Sequence, residues 1–285
     1  MENLFEDCEL VVLTRGRTDN QKFLLNLPPE MLGYFTIVCH PGEKLLLEKD
    51  WKGLVKNIVE YDGNNVGEAR QWVIENIPGK YVIFFDDNLQ FHTRVDWCKP
   101  DFGNVPKFGL SNMTFSKFTN DHLFLLYIDL INNLYTKLKE GFGMCGISHR
   151  TGNNRVAEDF VENTRFFGLL AVNKESYKHI GATFADVSIR EDFYVALNFL
   201  LHGIKIGSFY NYAIDKKTSN DAGGCSFYRT ADLLRENAFD LEKKYPGIVK
   251  AVVKNKTWKG IDSEIVDVII YWKKAYALGV SNVKV

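Results

Sequence analysis

Two adjacent carboxylates and an amide follow an apolar stretch in the first third of the chain. Asp86, Asp87 and Asn88 come directly after five apolar residues, 81–85. Such a run indicates a buried strand, which explains where the polar residues lie but not their types. Two neighbouring carboxylates repel each other unless a cation neutralises them, and oxygen ligands select a hard ion such as Mg²⁺ or Mn²⁺. The triplet therefore predicts either a cation site that receives phosphate groups or an ordinary polar turn.

A second pair of carboxylates, Glu191 and Asp192, opens a segment with helical spacing, 191–202. Carboxylates in the first turn of a helix stabilise its dipole, and this alone explains their position. One of them can instead serve as a general base, which accepts the proton when a hydroxyl group attacks an anomeric carbon. In that case the other carboxylate is expected to pair with a nearby arginine.

Cationic and small residues follow another predicted strand, which spans residues 9–14. Glycine lets the backbone approach a ligand closely, and arginine side chains bind phosphate or a base. Arg70 lies in a predicted helix, 67–77, near the same edge, where the alternative is an ordinary solvated arginine. The residues that we expect to bind a phosphate-bearing ligand at this edge are Thr14, Arg15, Gly16, Arg17, Arg70 and Asp86.

A polar segment later in the chain, 215–229, contains two adjacent glycines. Glycine adopts backbone conformations that other residues avoid, and a glycine-bearing loop rich in donors suits closure over a ligand. The alternative is a connecting loop without a role in binding. The residues that can approach a ligand here are Gly223, Gly224, Ser226, Tyr228 and Arg229.

Strands and helices alternate in the first third of the chain. We predict strands at 9–14, 34–39, 55–60 and 81–85, and the apolar runs in the first and last of them are typical of strands buried on both faces. Besides the helix over 67–77, we expect one over 19–27 that Pro28-Pro29 ends. This alternation predicts an α/β fold with a mostly parallel, doubly wound sheet, helices on both faces and a ligand site beyond the carboxyl ends of the strands.

The rest of the chain is less regular. Residues 97–119 are expected to form a loop over the first half. We predict helices over 121–139 and 191–202 and strands over 143–148 and 165–172. The last part interleaves lysines with aromatic residues, which suits contact with a phosphate backbone, although a solvated amphipathic face is the simpler explanation.

Composition excludes several classes of protein. The 285 residues carry a net charge of −1, so no overall charge attracts nucleic acid. The five cysteines are isolated from one another, which argues against a zinc site or a disulfide framework and suits a reducing cytoplasm. The first residues are acidic and lack the apolar segment of a signal peptide, and no apolar run approaches membrane-spanning length. We therefore expect a cytoplasmic protein without a membrane partner.

Taken together, these motifs resemble those of GT-A type glycosyltransferases. Asp86-Asp87-Asn88 resembles the DxD element of that group, and Arg190-Glu191-Asp192 resembles its xED element. A narrower resemblance, spanning the chain from Arg15 to Trp272, is to the TET/JBP-associated glycosyltransferases, which include phage enzymes that decorate hydroxymethylated pyrimidines in DNA. The segments that carry it are Asn153-Asn154-Arg155, Glu191-Asp192-Phe193, the glycine run from Ser219 to Thr230, Tyr245-Pro246-Gly247 and Tyr271-Trp272-Lys273-Lys274.

This resemblance implies a single GT-A-like domain over 1–285, with 1–95 as the half that binds the nucleotide sugar and 96–285 as the half that binds the acceptor. It implies a UDP-sugar donor, Mn²⁺ or Mg²⁺ held by Asp86, Asp87 and Asn88, and 5-hydroxymethylcytosine in DNA as the acceptor. Asp192 would be the base of an inverting displacement. The expected acceptor-binding residues are Arg155, Tyr228 and Arg229.

Two departures and two alternatives accompany the resemblance. Asn88 replaces the last aspartate of the DxD element, so Asp87 would supply the principal metal bond, and His202 belongs to a helix end rather than to a metal site. The chain could instead glycosylate a glycan or a protein, or it could be a catalytically inactive nucleic-acid-binding module of the same fold. An acceptor base within a duplex would have to be turned out of the stack.

Overall fold

The computed structural model describes residues 6–94, 115–117, 123–150, 156–216, 224–258 and 261–283. Its centre is a ten-stranded sheet in which β5, β8 and β9 run against the direction of the other strands. The strand order is β3-β2-β1-β4-β9-β7-β10-β5-β6, and β8 also pairs with β10. The strands are β1 (Cys8–Leu13), β2 (Phe35–Cys39), β3 (Asn57–Glu60), β4 (Tyr81–Asp86), β5 (Leu89–Arg94), β6 (Phe115–Lys117), β7 (Met144–His149), β8 (Phe160–Glu162), β9 (Phe167–Asn173) and β10 (Ile206–Lys216).

Helices cover both faces of this sheet, and a separate two-stranded hairpin lies near the C-terminus. The helices are α1 (Lys22–Leu25), α2 (Pro29–Leu32), α3 (Lys44–Trp51), α4 (Val66–Asn76), α5 (Leu123–Lys139), α6 (Lys174–Tyr177), α7 (Glu191–Leu201), α8 (Ala231–Lys244) and α9 (Trp272–Val283). The hairpin consists of β11 (Val249–Trp258) and β12 (Ile261–Ile270).

Alternation along the central strands builds two apolar cores. On β4, Ile83 and Phe85 face the core under α1, α2, α3 and α5, whereas Phe84 faces the core under α4, α7 and α8. All three side chains are buried. Because side chains alternate between the faces of a strand, only a continuous apolar run fits a strand that is covered on both sides.

The strand order of the sheet reverses at β1. From β1 the chain adds β2 and β3 on one side, and then returns through α4 to place β4 on the other side. Leu13 at the end of β1 pairs with Asp86 at the end of β4. Crossover helices leave a crevice outside the carboxyl ends of two such strands, which is where open α/β sheets bind their ligands. The fold therefore assigns the site to the ends of β1 and β4.

The expected α/β class, the alignment of most strands in one direction and the helices on both faces are confirmed. The prediction of one helix over 19–27 is wrong, since only Lys22–Leu25 of that segment is helical and Pro29 begins a second four-residue helix. Proline fits the first helical position, where no amide hydrogen is needed. Residues 97–119 are not wholly loop, because 115–117 form β6; the remainder of that segment lies outside the described residues.

Candidate active site

A cavity of about 400 Å³ opens at the ends of β1 and β4. Its walls come from the ends of β1, β2 and β4, the amino-terminal turns of α4 and α7, strands β9 and β10, and the segment after Gly224. Ten of the residues selected from the sequence line it: Thr14, Arg15, Arg17, Asp86, Asp87, Asn88, Asp192, Gly224, Tyr228 and Arg229. The cavity thus gathers residues separated by more than 200 positions in the chain.

The other selected residues lie elsewhere or outside the description. Arg70 and Glu191 are buried and do not line the cavity. Gly16 does not line it either, and its N–H donates to Glu43. Gly223 and Arg155 fall outside the described residues, as does the side chain of Ser226.

Asp87 is held by residues of the loop after β1. Its side chain is 2% exposed and forms an ion pair with Arg17, with 2.6 Å between Oδ1 and Nη1. The Thr14 hydroxyl donates to Oδ2 at 2.8 Å, and the Gln21 amide donates to that hydroxyl. Burial raises the pKa of Asp87, and Arg17 acts against that rise. Because both carboxylate oxygens have partners in the protein, Asp87 is poorly placed to supply the principal bond to a cation.

Asp86 and Asn88 are the members of the triplet with oxygens suited to a cation. Asp86 is 19% exposed and lines the cavity, and the Oδ1 of Asn88 is buried without a hydrogen-bond partner among the described residues. No three His, Cys, Asp or Glu side chains gather as a metal cluster within the described ranges. One carboxylate and one amide oxygen nevertheless fit Mg²⁺ or Mn²⁺, which takes most of its remaining ligands from water and substrate phosphates.

Arg70 joins the two acidic motifs. In α4, its guanidinium forms an ion pair with Glu191 and lies 3.7 Å from the Asp86 carboxylate, while the Phe84 ring lies 6.0 Å away. Burial raises the pKa of Glu191, and the Arg70 charge opposes that rise. Arg70 therefore connects the strand-end acid to the helix that carries Asp192, instead of lining the cavity.

Asp192 faces the cavity from the first turn of α7. Arg190, which precedes the helix, adopts a left-handed conformation with φ of 57° and donates hydrogen bonds to Leu234 O and Val266 O. This anchoring fixes the start of α7 against α8 and β12. The neighbouring carboxylates then point apart, since successive residues of a helix are about 100° apart, so that Glu191 lies against Arg70 and Asp192 lines the cavity.

The glycine segment packs over the loop after β1. The Gly224 N–H donates to Arg15 O at 2.8 Å, with Gly224 at φ +57°. At the other side of the cavity, the Val66 N–H at the start of α4 donates to the Tyr228 hydroxyl at 3.2 Å. The segment therefore spans from the β1 loop to α4 and forms part of the wall, as its glycine-bearing composition suggested.

The end of the cavity near β1, β2 and α4 has an apolar slot, formed by Leu13, Val38, Tyr61, Val66 and Ala69. His40 and Asn65, at the ends of the same elements, also line the cavity. Such a slot at the amino-terminal end of a helix suits a flat base with phosphates beyond it. The sequence did not identify these residues as part of the site, because apolar side chains near strand ends cannot be distinguished from core residues in a sequence.

The opposite end carries residues that the sequence reading also missed, namely His149, Arg165, Phe167 and Phe193. The guanidinium of Arg165 lies between the rings of Phe167 and Phe193. Arg165 precedes two phenylalanines at the start of a strand, and this pairing of a cation with aromatic residues was the available signal.

No family model and no curated protein sequence matches the chain. Among solved structures, the chain is similar to the mannosyltransferase PcManGT from Pyrobaculum calidifontis in complex with GDP-Man and Mn²⁺, at 14% identity over 70% of this chain and 53% of that one, with a TM-score of 0.45. It is also similar to S. aureus TarS 1-349, at 11% identity over 83% of this chain and 65% of that one, with a TM-score of 0.45.

A complex of the same TarS fragment with UDP-GlcNAc gives 10% identity over 83% of this chain and 66% of that one, with a TM-score of 0.49. This chain thus spans about half to two thirds of the length of these structures. Among the residues that the structure describes, no helix is both long and apolar enough to span a membrane.

Proposed function

We propose that this protein transfers a sugar from a UDP-sugar to the hydroxymethyl group of 5-hydroxymethylcytosine in DNA. The observation that carries the proposal is the cavity at the ends of β1 and β4. The strand-end acid Asp86, the Asn88 amide and the helix-start acid Asp192 lie around one volume, beside Arg17 and Arg229. Transfer from a nucleotide sugar requires a cation site and a proton-accepting carboxylate that face the same cavity.

The donor fits the cavity in one direction. Its uracil would occupy the apolar slot at the end of β2 and the start of α4, and its diphosphate would lie towards the charged end. There, Arg17 and Arg229 supply positive charge, and the Nε of Arg229 is buried without a hydrogen-bond partner among the described residues. A volume of about 400 Å³ falls in the range of small-molecule sites.

A divalent cation belongs to this proposal. Asp86 and Asn88 would hold Mg²⁺ or Mn²⁺, which neutralises the charge that develops on the diphosphate as it leaves. Asp87 would act indirectly, by fixing Arg17 and the loop after β1.

The proposed reaction is a single displacement with inversion. The hydroxymethyl oxygen of the acceptor attacks the anomeric carbon, the bond from that carbon to the phosphate oxygen breaks, and the electron pair leaves with UDP. Asp192 accepts the proton of the attacking hydroxyl group. Glu191 does not touch the reactants; through Arg70 it holds the start of α7 next to the strand-end acid.

DNA as the acceptor rests on the resemblance of the motifs, and the surface adds limited support. Lys250, Lys273 and Lys274 are exposed on β11 and α9. Lys254 is paired with Asp267, and Lys244 donates to the Tyr194 hydroxyl, so part of the basic stretch is engaged within the protein. The remaining lysines suit weak contact with a phosphate backbone.

The test is to incubate the protein with hydroxymethylated DNA, Mn²⁺ and a panel of UDP-sugars, followed by mass analysis of the nucleosides. The proposal predicts one glycosylated hydroxymethylcytosine product. Donor hydrolysis without transfer to DNA would favour a glycan or protein acceptor. DNA binding without any donor binding would favour an inactive binding module.

A further inference from the structure

Five planar side chains contact one another in a row, and all of them except Trp272 line the cavity. The row consists of His149, Phe167, Arg165, Phe193 and Trp272, and is called the planar row below. The Arg165 Cζ lies 4.2 Å from the Phe167 ring centroid and 4.7 Å from that of Phe193. The ring centroids of His149 and Phe167 lie 5.8 Å apart, and those of Trp272 and Phe193 lie 5.6 Å apart. Both pairs pack edge to face. Because its members come from β7, β9, α7 and α9, the fold assembles this row.

A bulge in β9 sets the position of the row. The register of β9 against β7 shifts between Gly146 and Ile147. Gly168 lies beside the shift with φ of +60°, and a Cβ there would lie 2.6 Å from the Cδ1 of Ile214. Bulges re-aim side chains next to active sites. This one is adjacent to Phe167, and it brings the row to the cavity wall that also holds Asp192.

The chemistry of the row favours a planar base over a sugar. The Arg165 side chain is exposed although two rings lie close to its guanidinium, so its N–H groups can reach a ligand. A guanidinium fork matches the phosphate and carbonyl oxygens of a nucleotide. Aromatic rings and arginine planes are the surfaces on which proteins stack unpaired bases.

We propose that the planar row is the acceptor subsite, and that it binds a planar heterocyclic base from a single-stranded or extruded nucleotide. This assignment rests on the proposed function, since it requires a donor at the opposite end of the cavity. Phe193 and Asp192 both line the cavity from the first turn of α7, so a base stacked on the row would carry its hydroxyl group towards the proton acceptor. Arg165 and Phe167 are then the residues that select the acceptor.

The experiment compares the wild type with Arg165→Gln, Arg165→Lys and Phe167→Leu. Arg235→Gln is the matched control, because Arg235 is an exposed arginine that pairs with Glu264 outside the cavity. The substrates are a single-stranded oligonucleotide with one hydroxymethylcytosine and the preferred UDP-sugar. The acceptor KM is measured by nucleoside mass analysis, and the Kd of UDP by calorimetry.

Loss of one stacking partner should raise the acceptor KM roughly tenfold or more in all three variants, with the Kd of UDP within about twofold of wild type. Arg165→Lys keeps the charge, so a rise there shows that the planar guanidinium, and not its charge alone, binds the acceptor. An unchanged acceptor KM with active variants would overturn the subsite alone. A wild type that binds UDP but glycosylates only a glycan would show that the planar row does not bind a heterocyclic base. A wild type that binds no nucleotide sugar would overturn the proposed function itself.

Discussion

Asp192 and Glu191 are neighbours in the chain but have different surroundings. Asp192 lines the cavity, whereas Glu191 is buried against Arg70. Asp192→Asn keeps the shape and removes the proton acceptor, so turnover should fall roughly 10²–10⁴-fold while the Kd of UDP stays near the wild-type value. Steady-state kinetics with calorimetry measure both. Normal turnover in Asp192→Asn would exclude it as the base and make a mechanism without an enzyme base the better account.

Arg70 was first expected to bind the donor, and its buried contacts change that expectation. Its side chain is 6% exposed, and its removal leaves the Glu191 charge buried without its partner. Arg70→Met should therefore lower the free energy of unfolding by about 3–5 kcal/mol, and the double variant Arg70→Met/Glu191→Gln should recover part of this loss. Denaturant titration provides the measurement.

The loss in Arg70→Met should depend on pH. Burial raises the pKa of Glu191, and removal of Arg70 takes away the largest opposing effect, leaving only the smaller ones of a backbone hydrogen bond and the Arg229 charge. A carboxyl group whose pKa is higher in the folded protein than in the unfolded chain binds more protons when folded, so stability falls as pH rises between the two values. The destabilisation should therefore be larger at pH 8 than at pH 5. Equal losses at both pH values would show that Glu191 does not bear the cost.

At the scale of elements, the role of the β9 bulge can be tested with two glycines of similar backbone conformation. Gly168 lies in the bulge, and Gly181 lies outside β9. Gly168 and Gly181 have φ of +60° and +59°, but a Cβ at Gly168 meets Ile214 at 2.6 Å, whereas a Cβ at Gly181 meets nothing within 4 Å. Both alanine variants carry the cost of a left-handed residue, about 1–2 kcal/mol. Gly168→Ala should cost more and raise the acceptor KM, while Gly181→Ala should leave that KM unchanged. Equal effects of the two variants on stability and on the acceptor KM would show that the bulge does not position the acceptor-binding residues.

The elements that the sequence predicts well are those with a uniform environment. β1, β2 and β4 are buried on both faces, so their apolar runs identify them. α3 was not predicted, because Leu45 and Leu46 are exposed and only Leu47 and Trp51 mark its buried side. The hairpin of β11 and β12 was missed as well, since its lysines and acids pair across strands and resemble a solvated stretch.

The candidate site divides in the same way. Thr14, Arg17 and Asp86–Asn88 could be placed together because they follow parallel neighbouring strands, whose carboxyl ends meet at one edge. Arg165 and Phe167 could not, because β9 is antiparallel to both of its neighbours and carries a bulge. No local pattern in a single sequence encodes that pairing or its register.

For the molecule as a whole, the proposed donor and cation are expected to stabilise the folded protein. A ligand that binds only the folded protein at 100 times its Kd stabilises it by about 2.7 kcal/mol, which is about 4–5 °C in Tm for a chain of this size. UDP with Mn²⁺ should produce such a rise, and excess EDTA should remove most of it. Differential scanning fluorimetry gives this result without any acceptor.

The same measurement separates the two aspartates at the end of β4. Asp86→Asn should lower the rise in Tm that UDP and Mn²⁺ produce and change the Tm of the free protein little, because Asp86 is the more exposed of the two and faces the cavity. Asp87→Asn should instead lower the Tm of the free protein, because its ion pair with Arg17 and its bond from Thr14 tie β4 to the loop after β1. If Asp87→Asn abolishes the metal-dependent rise while the free protein keeps its Tm, Asp87 is a ligand of the cation and the division between the two residues is reversed. If EDTA leaves the rise in Tm intact in the wild type, the cation has no part in donor binding, and Arg17 and Arg229 must compensate the diphosphate charge by themselves.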